Sequence, residues 1–188
     1  MIELVQQMAT PLTTKRPDLL ALARAGNKAA FEQLVVEHER LVLRTAWRLL
    51  GRREDAQDAA QEVFLRLYKN IRKLREDTLI EAWLYRVTWN ICQDLQRRRG
   101  SLAAVAVDRG QASTVDHSLE IEQQAAALNA LIAELPDKER AALVLRELEG
   151  RSTREVAEIL GSSEVTVRTQ VSSARAKLKA WFEERRMR

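Results

Sequence analysis

The chain has 188 residues, enough for one or two small domains, and its 31 basic and 27 acidic residues leave a net charge of only +4. That excess, with a pI of about 9.5, is too mild to establish nucleic-acid binding by itself. A single cysteine, Cys92, excludes an internal disulfide and a cysteine-based zinc site, and no apolar run is long enough to cross a bilayer.

With only 6 glycines and 3 prolines among many Ala, Leu, Glu, Arg and Gln residues, the composition favours helices. Residues 1–16 carry little pattern, and Thr10, Pro11, Thr13 and Thr14 predict a loose arm. Pro17 is placed to open a short helix that Gly26 closes. Asn27 can cap a long second helix with an apolar stripe of Phe31, Leu34, Val35, Leu41, Val42, Ala46 and Leu49, stopped by Gly51. A third helix is predicted over about 54–74, with Ala56, Ala60, Val63, Phe64, Leu67 and Ile71 on one face. Its acids stand in the first turns and its bases (Lys69, Arg72, Lys73, Arg75) at the end, as the helix dipole prefers.

A fourth helix is predicted over about 79–98, with Leu84, Val87, Ile91 and Leu95 as its inner seam and Trp83 at the edge. At about 100° per residue, Trp89 falls nearly opposite that seam, on an outward stripe with Arg86, Gln93 and Arg97. An aromatic between a basic and an amide side chain is a candidate nucleic-acid surface, because rings stack on unpaired bases and arginine holds the backbone. The competing reading has Trp89 packing against another helix or against the C-terminal half in a closed state. Asn90 flanks the seam, and Arg97, Arg98 and Arg99 form a basic cluster at the helix end.

Residues 100–117 read as a flexible linker, with two glycines and a loss of amphipathic period around the apolar piece LAAVAV. Helices resume at about 118–134, and Pro136 restarts the chain into 137–148. A short amphipathic helix over 153–160, a turn at Gly161, N-caps at Ser162 and Ser163 and a longer helix to about Trp181 complete a helix-turn-helix. In the last helix Val167, Val171, Ala174 and Leu178 form the buried seam. Val165, Thr166, Thr169, Ser172 and Ser173 face outward beside Arg168. Val and Thr suit thymine methyls, and Arg168, Arg175 and Lys177 suit phosphates, but so few charges predict weak binding to free duplex. The predicted fold is all-α: two small helical domains joined by a flexible linker, the C-terminal one a helix-turn-helix. His38 and His117 lack ligand spacing, and no metal-spaced carboxylates or nucleophile motif stands out, so neither an enzyme nor a cofactor is expected. Nor does a signal-peptide pattern open the chain, and a cytoplasmic location is expected.

Both halves resemble an extracytoplasmic-function (ECF) sigma factor, the compact promoter-recognition subunit of bacterial RNA polymerase. The N-terminal resemblance rests on Asp55-Ala-Gln-Asp58-Ala-Ala-Gln61-Glu62-Val-Phe64-Leu, then Trp83-Leu84-Tyr85-Arg86-Val87-Thr-Trp89-Asn90, and closes on Asp94 and the arginine run. The C-terminal resemblance covers Leu135-Pro136 through Leu178, including Glu149-Gly150, Ser152, Glu155-Val-Ala157, Leu160-Gly161, Thr166-Val167-Arg168 and Ala174-Arg175. It implies a polymerase- and −10-binding domain over 17–99 and a −35-binding domain over 118–188. Asp55, Asp58, Gln61 and Glu62 would dock on core polymerase. Without the resemblance these residues read rather as a dipole-favoured, solvated helix start.

The resemblance places the −10 contacts at about residues 75–99, and within that range Arg86, Trp89, Asn90, Gln93, Arg97 and Arg98 are the candidates. It places −35 contacts on Ser163, Val165, Thr166, Arg168, Thr169, Ser172, Arg175 and Lys177. Two departures stand out: members of the family more often carry a small residue where Trp89 stands, and basic residues where Gln170 and Ser173 stand. The implied partners are core RNA polymerase, promoter DNA and an anti-sigma factor, without membrane insertion. The rival function is a polymerase-independent helix-turn-helix regulator binding paired half-sites.

Overall fold

The computed structural model describes residues 18–75, 78–102 and 128–186, all of whose regular structure is helical. The expected arm over 1–16, Pro17, most of the expected linker and the expected helical stretch 118–127 lie outside the described residues.

Helix α1 (Leu19–Arg24) is capped by Asp18, whose side chain accepts from the Ala21 N–H at 3.1 Å. Gly26 turns the chain at φ 96°, and Asn27 caps α2 (Lys28–Leu50) by accepting from the Ala30 N–H at 3.1 Å. Gly51 ends α2 in the left-handed region at φ 72°, where its α-hydrogen side lies so close to Ala133 that an added Cβ would stand 3.2 Å from the Ala133 Cβ. Helix α3 (Arg53–Asn70) carries Glu54 and Asp55 in its first turn and tightens into a 3₁₀ turn at Ile71–Lys73. Helix α4 spans Ile80–Leu102, past the end predicted at residue 98. Gly100 costs about 1 kcal/mol relative to alanine inside a helix, which is not enough by itself to stop one.

In the C-terminal half, residues 128–133 (α5) are helical and lead through Pro136 into α6 (Asp137–Leu143). The continuation predicted as α-helix widens instead into a π-helical turn at Val144–Leu148, closed by Glu149 N–H donating to the Val144 carbonyl at 2.9 Å. Helix α7 (Thr153–Leu160) opens on a capping box: Ser152 Oγ accepts from the Glu155 N–H at 3.2 Å, and Glu155 accepts from the Ser152 N–H at 2.7 Å. Hydrogen bonding from the Ser152 side chain, and then from its backbone N–H, lowers the Glu155 carboxyl below its ordinary value. Gly161 supplies the left-handed turn at φ 61°, and Ser163 accepts from the Thr166 N–H at 3.1 Å to start α8 (Glu164–Arg186).

Helices α2, α3 and α4 pack on one another, with α1 against α2, while α8 packs on α6 and α7. The interior of the first group is Leu34, Val42, Ala46, Leu49, Val63, Leu67, Leu84 and Ile91, all at most 4% exposed. That of the second includes Leu145, Val156, Val167 and Ala174, each fully buried. The two groups are not separate bodies: α4 packs on α7, and α2 meets α6 and the π-helical turn.

This second packing partner overturns the single-seam reading of α4. Leu84, Thr88 and Ile91 are buried, but so are Tyr85, Trp89 and Cys92. Trp89, predicted on an outward stripe, is 5% exposed and belongs to the main apolar cluster. Periodicity finds the face turned to sequence neighbours; it does not find a face covered by helices more than fifty residues downstream. Cys92 is fully buried, and desolvation pushes its thiol up to about 12, so it is held as an unreactive core thiol.

Candidate functional site

Three surfaces hold the candidate residues and their partners, and the first is the seam between the halves. Glu149 lies where the π-helical turn ends, just ahead of Gly150 at φ 68°. Its side chain is wholly buried and accepts from the N-terminal half throughout. Arg44 donates to it from Nε at 3.2 Å and from Nη2 at 2.5 Å, Arg48 Nη1 at 2.6 Å, and Tyr85 Oη at 3.1 Å. Arg48 Nη1 also reaches the Leu148 carbonyl at 3.3 Å. The bond to Glu149 raises the Arg44 guanidinium above its ordinary value; burial first, then Glu149, raises the Tyr85 phenol. Around this centre, Arg86 Nη2 donates to the Glu158 carbonyl at 2.9 Å and Arg151 pairs with Glu81 at 3.0 Å. The Arg151 guanidinium also lies 5.4 Å from the centroid of the Tyr85 ring.

The second surface is the outer face of α8. Val167 and Ala174 are fully buried and Val171 is 7% exposed, so the helix turns the intervening positions to solvent. Ser163, Val165, Thr166, Arg168, Thr169 and Ser172 all lie exposed there, and Val165 is 67% exposed although apolar. The cations have intramolecular partners: Arg168 pairs with Glu164 at 2.8 Å and Arg175 with Glu147 at 2.7 Å. Lys177 is only half-exposed and lies on Glu139 at 2.8 Å, beside Ser173, which donates to the same carboxylate at 3.1 Å.

The third surface is α3. Asp58 and Gln61 are exposed, and Glu62 accepts from Arg66 Nε at 2.8 Å one turn on. Asp55 is largely covered, with Arg52 Nε at 3.8 Å from it. Asp58, Glu62 and Arg66 line a shallow cleft against Asp94 and Arg98 of α4. On the opposite side of α3, Gln57, Gln61, Phe64, Leu65 and Tyr68 form an apolar groove with Phe31 and Val35 of α2. Phe64 is partly buried against the core, so its apolar edge is shared between core and groove.

Sequence comparison bears directly on these surfaces. Residues 34–102 match the family model described as Sigma-70 region 2, and residues 125–178 match Sigma-70, region 4. The ECF RNA polymerase sigma factor SigM of Mycobacterium tuberculosis is 35% identical over 162 residues, 86% of this chain and 81% of that protein. The chain belongs to the ECF sigma factor family.

SigE of Mycolicibacterium smegmatis is 34% identical over 84% of this chain, which spans 64% of that longer relative. Among solved structures, CnrH in complex with the cytosolic domain of CnrY superimposes with a TM-score of 0.67 at 29% identity, covering 88% of this chain and 96% of that one. The RpoE–NepR complex of Bartonella quintana shares the fold, with a TM-score of 0.66 over 81% of this chain and 96% of that one, at 20% identity. As a sigma factor the chain directs RNA polymerase to promoters and catalyses no reaction itself.

Of the residues expected to contact the −10 element, Arg86, Asn90, Arg97 and Arg98 are exposed and Gln93 is half-buried, while Trp89 is covered. Arg86 and Trp89 therefore do not form the open stripe that the sequence suggested. Sequence reasoning missed Arg44, Arg48, Tyr85 and the role of Glu149. One signal was available. A carboxylate just past a helix C-terminus is at the end its dipole disfavours, so Glu149 calls for outside cations. The pair Arg44 and Arg48, one turn apart on α2, supplies them.

Proposed function

We propose that this sigma factor works in the bacterial cytoplasm as a two-point anchor. It docks on core polymerase through Asp58, Gln61 and Glu62, with Asp55 bracing the start of α3. Arg86, Trp89, Asn90, Gln93, Arg97 and Arg98 engage the −10 element once its strands part. Ser163, Val165, Thr166, Thr169 and Ser172 read the −35 element in the major groove, with Arg168, Arg175 and Lys177 on phosphates. The observation that carries this reading is the α8 face: six polar or methyl-bearing side chains exposed on one side of the second helix of a helix-turn-helix. A helix so placed selects sequence. With its arginines and lysine already paired to Glu164, Glu147 and Glu139, it grips free duplex weakly. Unpairing the −10 bases costs a few kcal/mol, offset by capturing the freed strand on aromatic and cationic side chains. CnrH, a solved relative at 29% identity, is in complex with the cytosolic domain of CnrY, and the Bartonella quintana sigma factor RpoE is in complex with the anti-sigma factor NepR. An anti-sigma factor is the third partner we assign.

Gel shifts on promoter DNA with and without core polymerase test the docking role of α3. The wild-type protein should shift DNA strongly only with polymerase. Asp58→Lys should weaken that ternary complex about tenfold or more while leaving thermal stability within about 0.5 kcal/mol, since Asp58 is exposed. Equally strong shifts without polymerase would instead indicate a free-standing regulator.

A further inference from the structure

We propose that the −35 element is read through thymine methyl groups, by a methyl patch that Val165 and Thr169 form on the outer face of α8. That this face meets the −35 element rests on the function proposed above; the base chemistry it selects rests on the geometry of its side chains.

Val165 and Thr169 stand four residues apart, so their Cβ atoms lie about 5–6 Å from each other on one face of the helix. Both are exposed, and the Val165 side chain has no polar atom to offer. Thr169 Oγ1 donates its one hydrogen to the Val165 carbonyl at 3.1 Å, one turn back. The hydroxyl is thus committed to the helix, and the γ-methyl is the group left for a partner. The neighbouring polar groups are engaged as well. Ser163 Oγ caps α8 by accepting from the Thr166 N–H at 3.1 Å, and the two hydroxyls share a bond at 2.8 Å. Arg168, a side chain of the kind that takes guanine bidentately, is paired with Glu164 at 2.8 Å.

A single exposed valine is ordinary on a protein surface, so its position and company carry the inference. Val165 lies in the first turn of the second helix of a helix-turn-helix, the part that meets base edges in the major groove. β-Branched residues are also poor choices for an exposed helix start, where Ala, Glu or Lys would hold the helix better. Yet Val165, Thr166 and Thr169 all stand exposed there. Their χ1 angles are restricted, so the methyls are held in place before DNA arrives. In the major groove only thymine presents a methyl, at C5, and covering it with Val165 or Thr169 takes apolar surface out of water on both sides. A patch about 5–6 Å wide spans two neighbouring base pairs, about 3.4 Å apart. The face therefore selects A·T pairs whose thymine is turned toward α8.

The test changes the DNA before it changes the protein. The full chain with core polymerase is bound to promoter duplexes recovered from a genomic library and remade with deoxyuridine for thymidine within the −35 element alone. Uracil pairs as thymine does and lacks only the methyl. Each contacted thymine that loses its methyl should weaken binding about fourfold, the worth of one buried carbon group. Val165→Ala and Thr169→Ser remove methyls at exposed positions, the second keeping its hydroxyl. Each should weaken binding to the thymidine duplex and reduce the uracil penalty, because the two losses are one contact removed from either side. Circular dichroism confirms helix content in both. Recovered −35 elements without an A·T pair, or a uracil penalty that is absent or equal in all three proteins, would overturn the methyl patch. A further duplex with the −35 element scrambled separates the two readings. Binding unaffected by scrambling strikes the −35 role of α8 and the patch with it, whereas binding lost on scrambling but unchanged by uracil strikes the patch alone.

Discussion

Trp89→Ala is expected to destabilise the free sigma factor by about 3–5 kcal/mol in chemical denaturation, the usual cost of removing a buried large aromatic. The side chain is 5% exposed within the main apolar cluster, so truncation leaves a cavity that the surrounding helices can only partly fill. An outward-facing tryptophan on a polar stripe would cost within about 0.5 kcal/mol. The two placements thus differ severalfold in a single measurement. Trp89→Phe, which keeps most of the apolar volume, should lose less than half as much. Its promoter opening tests the stacking on the parted strand proposed for this ring.

Val167→Asp should remove the C-terminal half altogether. Val167 is fully buried in a cluster with Tyr85, Leu145, Val156, Ile159 and Val171, where a carboxylate would have neither water nor a donor. We expect a loss of about 4 kcal/mol or more, seen as collapse of hydrogen-exchange protection across α6, α7 and α8. Transcription that depends on the upstream promoter element should be lost with it. Thr169→Asp, two residues on and exposed, is the control. It should keep the fold within about 0.5 kcal/mol and lose upstream-element binding through repulsion from phosphates.

The helix-turn-helix was the most legible part of the sequence because its signals are local. Ser152 with Glu155 forms a capping box, Gly161 a left-handed turn and Ser163 the next cap, and each acts within a few residues. The buried seam of α8 follows from the same short-range period. The three-helix core of the N-terminal half was legible for a similar reason, since α2 and α3 each turn one continuous face inward. Helix α4 was not, because it is buried on two sides. Its second side is set by α7, whose approach no periodic pattern within α4 encodes. The wide turn at Val144–Leu148 was equally invisible, since its residues are ordinary helix formers and only the hydrogen-bond pattern marks it. The candidate polymerase and −35 residues could be named from motifs. Their pairing state, such as Lys177 held by Glu139, needed the fold.

The central claim is that the two halves read two promoter elements for a shared polymerase. Run-off transcription with core polymerase on a genomic promoter library tests it most directly, comparing the wild-type chain with Thr166→Ala. The account predicts polymerase-dependent start sites that share an upstream and a downstream element at fixed spacing. It also predicts relaxed preference in the variant at the upstream element alone, by about 1–3 kcal/mol at one base pair. Start sites with no common upstream element, or an unchanged upstream preference in Thr166→Ala together with an altered downstream one, would contradict it.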